Sequence, residues 1–340
     1  MAEINSSFRA ESRALLKVFD NSGVAFYIPN YQRPYTWDDK NIEQLMIDLC
    51  RGVRELFDAD TKKNEAAISF LGVTITFYAN VHKKEVQPQE PRALPKGVEL
   101  IVDGQQRLST ICLLATCIDS KLASLVKKLP NKAPYDDLIS HVEKQIRQDL
   151  KSIFAVDIRD GTPTFKPKII RQGIDQWTLK GSIEENYTAP VTNYLANYIS
   201  HISLPNIGHP KAPDNLVGSN IRIMNKWLKE IAEHNFSDDH KFISDYPSAV
   251  ELSKKQTFLW KGENPDWVAI LENANKDSST EDKLVVSIIN ILSFTYYLFE
   301  RCAITAIFPE NEDWAFDMFQ SLNASGTPLG RNLDNIVVIS

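Results

Sequence analysis

Val98-Glu99-Leu100-Ile101-Val102-Asp103-Gly104-Gln105-Gln106-Arg107 is the stretch that decides how this chain is read. Val98, Leu100, Ile101 and Val102 predict a short buried strand, and Asp103-Gly104 ends it. An apolar repeat of helical period then begins almost at once. Leu108, Ile111, Cys112, Ala115, Ile118 and Leu122 give that helix, expected from about 105 to 129, its buried face. Strand, glycine turn and helix N-terminus together suit an anion, because unpaired N–H groups and the positive end of the helix dipole converge on one spot. Arg107, one turn in, adds a guanidinium able to fork onto a phosphate or carboxylate. The same residues also read as a capped helix, with Asp103 as cap and Gln106 three residues on at capping-box spacing. Taken alone, the capped helix is the simpler reading, since one Gly-x-x-Arg is a weak pattern.

The chain has 340 residues, 43% of them hydrophobic and 24% charged, with a net charge of −6. That length predicts two domains, and that balance excludes a polycation or a disordered chain. Nucleic acid, if bound, must be met by a local patch. Cys50, Cys112, Cys117 and Cys302 all lie in apolar-periodic stretches and form no Cys-x-x-Cys pair. They read as buried free thiols, which fits a reducing cytoplasm. The N-terminus shows no apolar signal region. No uninterrupted run of about 18 apolar residues occurs, so no membrane span is expected.

Residues 7–20 predict a short helix and 24–28 a strand. A loop follows that is dense in aromatic and polar side chains, Tyr31-Gln32-Arg33-Pro34-Tyr35-Thr36-Trp37. Thr36 and Asp39 are spaced to cap the next helix, which runs to about Phe57. Residues 70–78 predict a strand. Residues 79–97, with three prolines and many charges, read as a mobile hairpin-like loop. Pro130 to Pro134 mark the domain boundary. Beyond it helices are predicted at 135–152, 187–201, 219–234, 239–253, 265–275, 281–299 and 311–322. A hairpin turns at Asp160-Gly161, and 301–308 predicts a strand. The fold class is therefore α+β: an N-terminal domain (1–130) with a small mixed sheet, then a mostly helical domain (131–340).

A surface loop that concentrates Tyr31, Gln32, Arg33, Tyr35 and Trp37 points to ligand contact, by aromatic stacking and a guanidinium fork. The alternative is a structural plug packed over the sheet. Lys144, Arg147, Lys151, Lys166, Lys168 and Arg171, over 144–171, are the candidate DNA-facing cluster. Solvation of a helix face explains such a cluster at least as well. The late stretch Leu322-Asn323-Ala324-Ser325-Gly326 reads on its own as a helix stop.

Taken together, three motifs resemble the DUF262 family, the N-terminal module of GmrSD-type modification-dependent (type IV) restriction enzymes and related anti-phage proteins. They are Tyr31-Gln32-Arg33-Pro34-Tyr35-Thr36-Trp37, then Asp103-Gly104-Gln105-Gln106-Arg107 after Phe70-Leu71-Gly72, then Phe319-x-x-Leu322-Asn323-x-x-Gly326-x-x-Leu329. The resemblance implies a ParB/sulfiredoxin-like first domain whose Gly104-x-x-Arg107 turn holds nucleotide phosphates. It further implies hydrolysis of a nucleoside triphosphate, with Mg²⁺, coupled to recognition or cleavage of foreign or modified DNA. Asp103, Gln105, Gln106 and Arg107 would be the catalytic group. Asp103 would position a metal ion or simply cap the helix, and a glutamine would orient water. Tyr31, Gln32, Arg33, Tyr35, Gly104 and Arg107 would hold the nucleotide, with Asn323 and Gly326 approaching from the second domain.

Relatives often continue into an HNH nuclease, and the six histidines here show no such pattern. The chain is therefore expected to work with a nuclease domain or partner subunit, or to be part of a longer protein, since its last residues depart from the family pattern. A homo-oligomer is left open. A non-enzymatic adaptor that binds DNA or a partner is the first alternative, and a ParB-like nuclease the second.

Overall fold

The computed structural model describes residues 8–20, 23–58, 68–79, 94–160, 162–203, 210–243, 245–253, 265–273, 278–310, 314–315, 317–318 and 320. Asn323 and Gly326, most of the loop at 79–97 and most of the helix predicted at 311–322 lie outside these residues.

The fold is α+β. Six strands form one mixed sheet in the order β1-β8-β3-β4-β2-β7. They are β1 (Phe8–Ala14), β2 (Val24–Ile28), β3 (Ser69–Ala79), β4 (Gly97–Asp103), β7 (Ile169–Arg171) and β8 (Cys302–Pro309). β4 runs parallel to β2, and β2 parallel to β7, while β3 and β4 are antiparallel. β8 lies parallel to β3 and antiparallel to β1. A separate hairpin pairs β5 (Ala155–Asp160) with β6 (Thr162–Pro167). β7 and β8, both beyond residue 130, complete the sheet that β1 to β4 begin.

Helices pack against the sheet around a main apolar core, and a smaller cluster that includes Ala25, Tyr27, Val98, Leu100 and Trp177 is separate from it. In the first half they are α1 (Leu15–Phe19), α2 (Asp39–Asp58) and α3 (Gln105–Val126). α4 (Asp136–His141) follows, then a π-helical turn (Val142–Ile146) that leads into α5 (Arg147–Phe154). Next come α6 (Ile183–Asn186), α7 (Pro190–Ile202), α8 (Leu216–Glu233), a 3-10 turn (Asp238–Ile243), α9 (Ala249–Ser253), α10 (Pro265–Asn273) and α11 (Thr280–Glu300). α3 is buried nearly all round and packs against α5, α7, α8 and α11. By length and composition α3 and α11 could each cross a membrane, but 78% and 67% of their apolar windows are buried within the protein. Both serve as core helices. All four cysteines are buried and unpaired.

Three local expectations change. Residues 8–14 form an edge strand, because β8 offers a pairing partner along its whole length, Phe8 to Pro309 through Ala14 to Ala303. Arg9 and Arg13 lie over the Phe308 ring, 5.3 and 4.7 Å from its centroid. Tertiary pairing thus overrides a weak helical pattern. Residues 239–253 break into a 3-10 turn and a short helix around Pro247, which has no N–H to continue a helix. Ser248 and Glu251 then form the hydrogen bonds that restart it. At the start of α2, Asp38 and Asn41 bond each other's backbone reciprocally, so Thr36 does not serve as the cap.

Candidate functional site

The N-terminus of α3 opens into a cleft of about 550 Å³. One wall is the turn Asp103 to Arg107, and the other is Tyr31, Gln32, Arg33 and Trp37. The two motifs are thus brought face to face. Tyr35 is turned away from the cleft, half-buried beneath the loop.

Gly104 is the residue before the helix, with φ +93°. A Cβ there would stand 2.6 Å from Thr74 Cγ2, so both backbone conformation and space favour glycine. No side chain caps the helix. The expected capping box is absent, because Gln106 bends away to the loop. Leu108 N is the first amide bonded within the turn, to Gly104 O at 3.0 Å. The N–H groups of Gln105, Gln106 and Arg107 therefore have no partner within the helix. With capping excluded, Asp103 stands as a half-buried carboxylate on the cleft wall. No hydrogen bond reaches that carboxylate from the described residues.

Both glutamines hold the opposite wall. Gln105 Nε2 donates to Arg33 O at 2.7 Å. Gln106 Nε2 donates to Pro34 O at 2.8 Å, and its Oε1 accepts from Thr36 N at 2.8 Å. Gln106, a candidate for orienting water, thus has both amide atoms engaged by the loop. Gln32 Nε2 donates to Val102 O at 2.5 Å, which ties the loop to the end of β4.

Arg107 reaches across to β3, where its Nη1 donates to Val73 O at 2.9 Å. Burial lowers its pKa, and the nearby Asp103 charge works against that shift. A guanidinium tolerates such a shift and stays protonated. Its path is opened by Gly72, at a register shift in β3 and with φ +108°.

The sequence reading missed what lies behind the loop. Asn220, fully buried on α8, donates to Trp37 O at 2.8 Å and to Tyr35 Oη at 3.1 Å. Thr110 Oγ1 donates to Gln106 O, so the 2.8 Å bond between Tyr35 and Thr110 must be donated by the tyrosine. Burial raises the Tyr35 pKa, and it stays a donor at neutral pH. An Asn after a helix cap at Asn215 carries no pattern that marks it in advance.

The basic cluster does not assemble as a phosphate track. Lys168 is buried, 3% exposed, with Nζ donating to Phe19 O at 2.8 Å. Burial lowers its pKa to about 8. Arg147 pairs with Asp119 at 2.7 Å and Glu143 at 2.6 Å. Lys151 Nζ lies 3.1 Å from the Phe165 ring centroid. Arg171 bonds the carbonyls of Gln32 and Arg33. Lys144 is exposed and Lys166 half-exposed. No group of three or more His, Cys, Asp or Glu side chains among the described residues could hold a metal ion.

A comparison with curated proteins finds no match. The family model described as the GmrSD restriction endonuclease, N-terminal domain, matches residues 15–332. That span takes in the sheet except its edge strand β1, the α3 turn and the loop that faces it, and the chain belongs to this family.

Proposed function

We propose that this chain is the nucleotide-binding module of a prokaryotic DNA-restriction system, and that a nucleoside triphosphate sits in the cleft between the α3 turn and the 31–37 loop. The observation that carries the reading is the convergence of three helix-terminal N–H groups, Arg107 and the exposed Arg33 on one cleft with Tyr31 and Trp37 at its rim. The amides and the helix dipole suit phosphate oxygens. Arg33 is placed to neutralise charge, and the aromatic rings offer faces for a base.

Hydrolysis follows from the same reading. Mg²⁺ is commonly held by one or two carboxylates together with the nucleotide's own phosphates, and Asp103 supplies a carboxylate on the cleft wall. The metal would polarise the phosphoryl oxygens and neutralise charge developing there. Arg107 and the α3 amides would hold the phosphates in place, and Gln105 and Gln106 would keep the facing loop at the right distance. The DNA cut is assigned to a nuclease domain or partner subunit, with the module working in the cytoplasm on foreign or modified DNA.

Titration calorimetry with the four common nucleoside triphosphates, with and without Mg²⁺, tests binding. Arg107→Ala is expected to abolish it, and no heat with any of the four would sink the reading. Phosphate release, with and without DNA, tests turnover. Asp103→Asn is expected to keep binding and lose release.

A second reading, binding without turnover, is favoured by the engagement of both Gln106 amide atoms. It predicts tight binding and no phosphate release under any condition.

A further inference from the structure

The 31–37 loop carries side chains into the cleft, while the backbone carbonyls of Gln32, Arg33, Pro34 and Trp37 are met by side chains from distant segments. Gln105 and Gln106 meet Arg33 O and Pro34 O, and Asn220 meets Trp37 O. The remaining holder is Arg171. Its Nη1 donates to Arg33 O at 3.0 Å and its Nη2 donates to Gln32 O.

Arg171 is delivered there by the sheet. β7 lies parallel to β2 with Arg171 opposite Ile28, the last strand residue before the loop. Its own backbone is fixed in turn. Arg171 N donates to Asp175 Oδ2 at 2.9 Å, and Asp175 Oδ1 accepts from Thr188 N and Ala189 N at 2.8 and 2.9 Å. The next residue repeats the grip, with Gln172 N bonded to Ile28 O at 2.8 Å and Gln172 Oε1 accepting from Asn30 N at 3.1 Å. Arg171 itself does not line the cleft.

We propose that Arg171 is a positioning residue for ligand binding: its guanidinium fork on the Gln32 and Arg33 carbonyls fixes the loop from outside and so aims Tyr31 and Arg33 at the anionic ligand, without touching that ligand. This rests on the nucleotide reading above for the ligand, but not for the loop. One planar group spans two adjacent carbonyls, which an ammonium on a flexible stem does not reproduce.

The test compares wild type, Arg171→Ala and Arg171→Lys. Hydrogen exchange of the peptide covering 29–38 reads the loop without any ligand. Titration with each common nucleoside triphosphate plus Mg²⁺, at several salt concentrations, reads the cleft. Both variants are expected to speed exchange in 29–38 while the core of α3 stays protected. Affinity is expected to fall about tenfold in Arg171→Ala, equal to ~1.4 kcal/mol. Lysine should give little rescue, and the salt dependence of binding should keep its wild-type slope. Unchanged exchange in 29–38 would overturn the proposal, and so would faster exchange with unchanged affinity. Rescue by lysine with a flattened salt dependence in Arg171→Ala would also overturn it, by showing direct contact with the anion. If wild type binds none of the nucleotides, the nucleotide reading fails, and the exchange result still decides the loop.

Discussion

The guanidinium of Arg107 occupies the space a side chain on Gly72 would need: a Cβ at Gly72 would lie 2.6 Å from Arg107 Nη2 and 2.7 Å from its Cζ. The two motifs, 35 positions apart in the chain, are therefore one steric unit. Gly72→Ala must both displace the arginine and hold an alanine at φ +108°. The expected cost is about 1–3 kcal/mol of stability. Denaturant titration and nucleotide calorimetry should show affinity falling along with it. Wild-type affinity in this variant would mean that Arg107 is not set by β3.

Asn220→Ala should loosen the loop from the other side. Its Nδ2 bonds to Trp37 O and Tyr35 Oη disappear, leaving a half-buried carbonyl without that donor. Asn220 Oδ1 has no hydrogen-bond partner among the described residues, so its removal offsets part of the loss. We expect a cost of about 1–2 kcal/mol in thermal or denaturant unfolding. Asn220→Asp should cost more, since a carboxylate would face the Trp37 carbonyl with nothing to donate. An aspartate variant as stable as the alanine one would contradict this geometry.

Lys168 gives a pH signature. Its folded-state pKa is lowered to about 8 from 10.5 by burial, so the folded protein gives up this proton more readily than the unfolded chain. The contribution to stability is present above the unfolded value and is lost as pH falls through about 8. Stability of the wild type relative to Lys168→Met should therefore rise between pH 8 and 10.5, by roughly 1–3 kcal/mol. Unfolding free energies of both proteins at the two ends of that window check it. A difference that stays flat or falls would contradict it.

Arg147 should behave as a structural residue. Asp119, 1% exposed, accepts from Arg147 Nε at 2.7 Å and from Tyr198 Oη at 2.6 Å. Arg147→Met leaves that carboxylate short of a counter-charge, at an expected cost of about 3–5 kcal/mol. If the full system binds DNA, the salt dependence of that binding should not change in this variant. A slope reduced by about one ion would return Arg147 to the DNA-facing set.

The strand-turn-helix at 98–126 was legible because three signals coincide there: an apolar run, a glycine and an apolar repeat of helical period. The facing loop was legible as a concentration of Tyr31, Arg33 and Trp37. What those residues lean on was not. An amide such as Gln106 serves a water molecule and a backbone carbonyl equally well, and its partner, Pro34, is 72 positions away. Arg171 read as a member of a basic run because sequence shows its charge but not the strand register that sets it beside Ile28. Lys168 went inward for the same reason. β1 escaped because its pattern is set by β8, nearly three hundred residues later.

That last pairing has a consequence for synthesis. β1 and β3 do not bond to each other; each bonds to β8 between them. On the ribosome, the first strand stays unpaired until residues 302–309 have emerged, and β3 keeps one edge open for as long. The nascent chain must therefore carry an exposed β-edge until that segment is made, and the wall that holds Arg107 is closed by a strand synthesised long after the arginine itself.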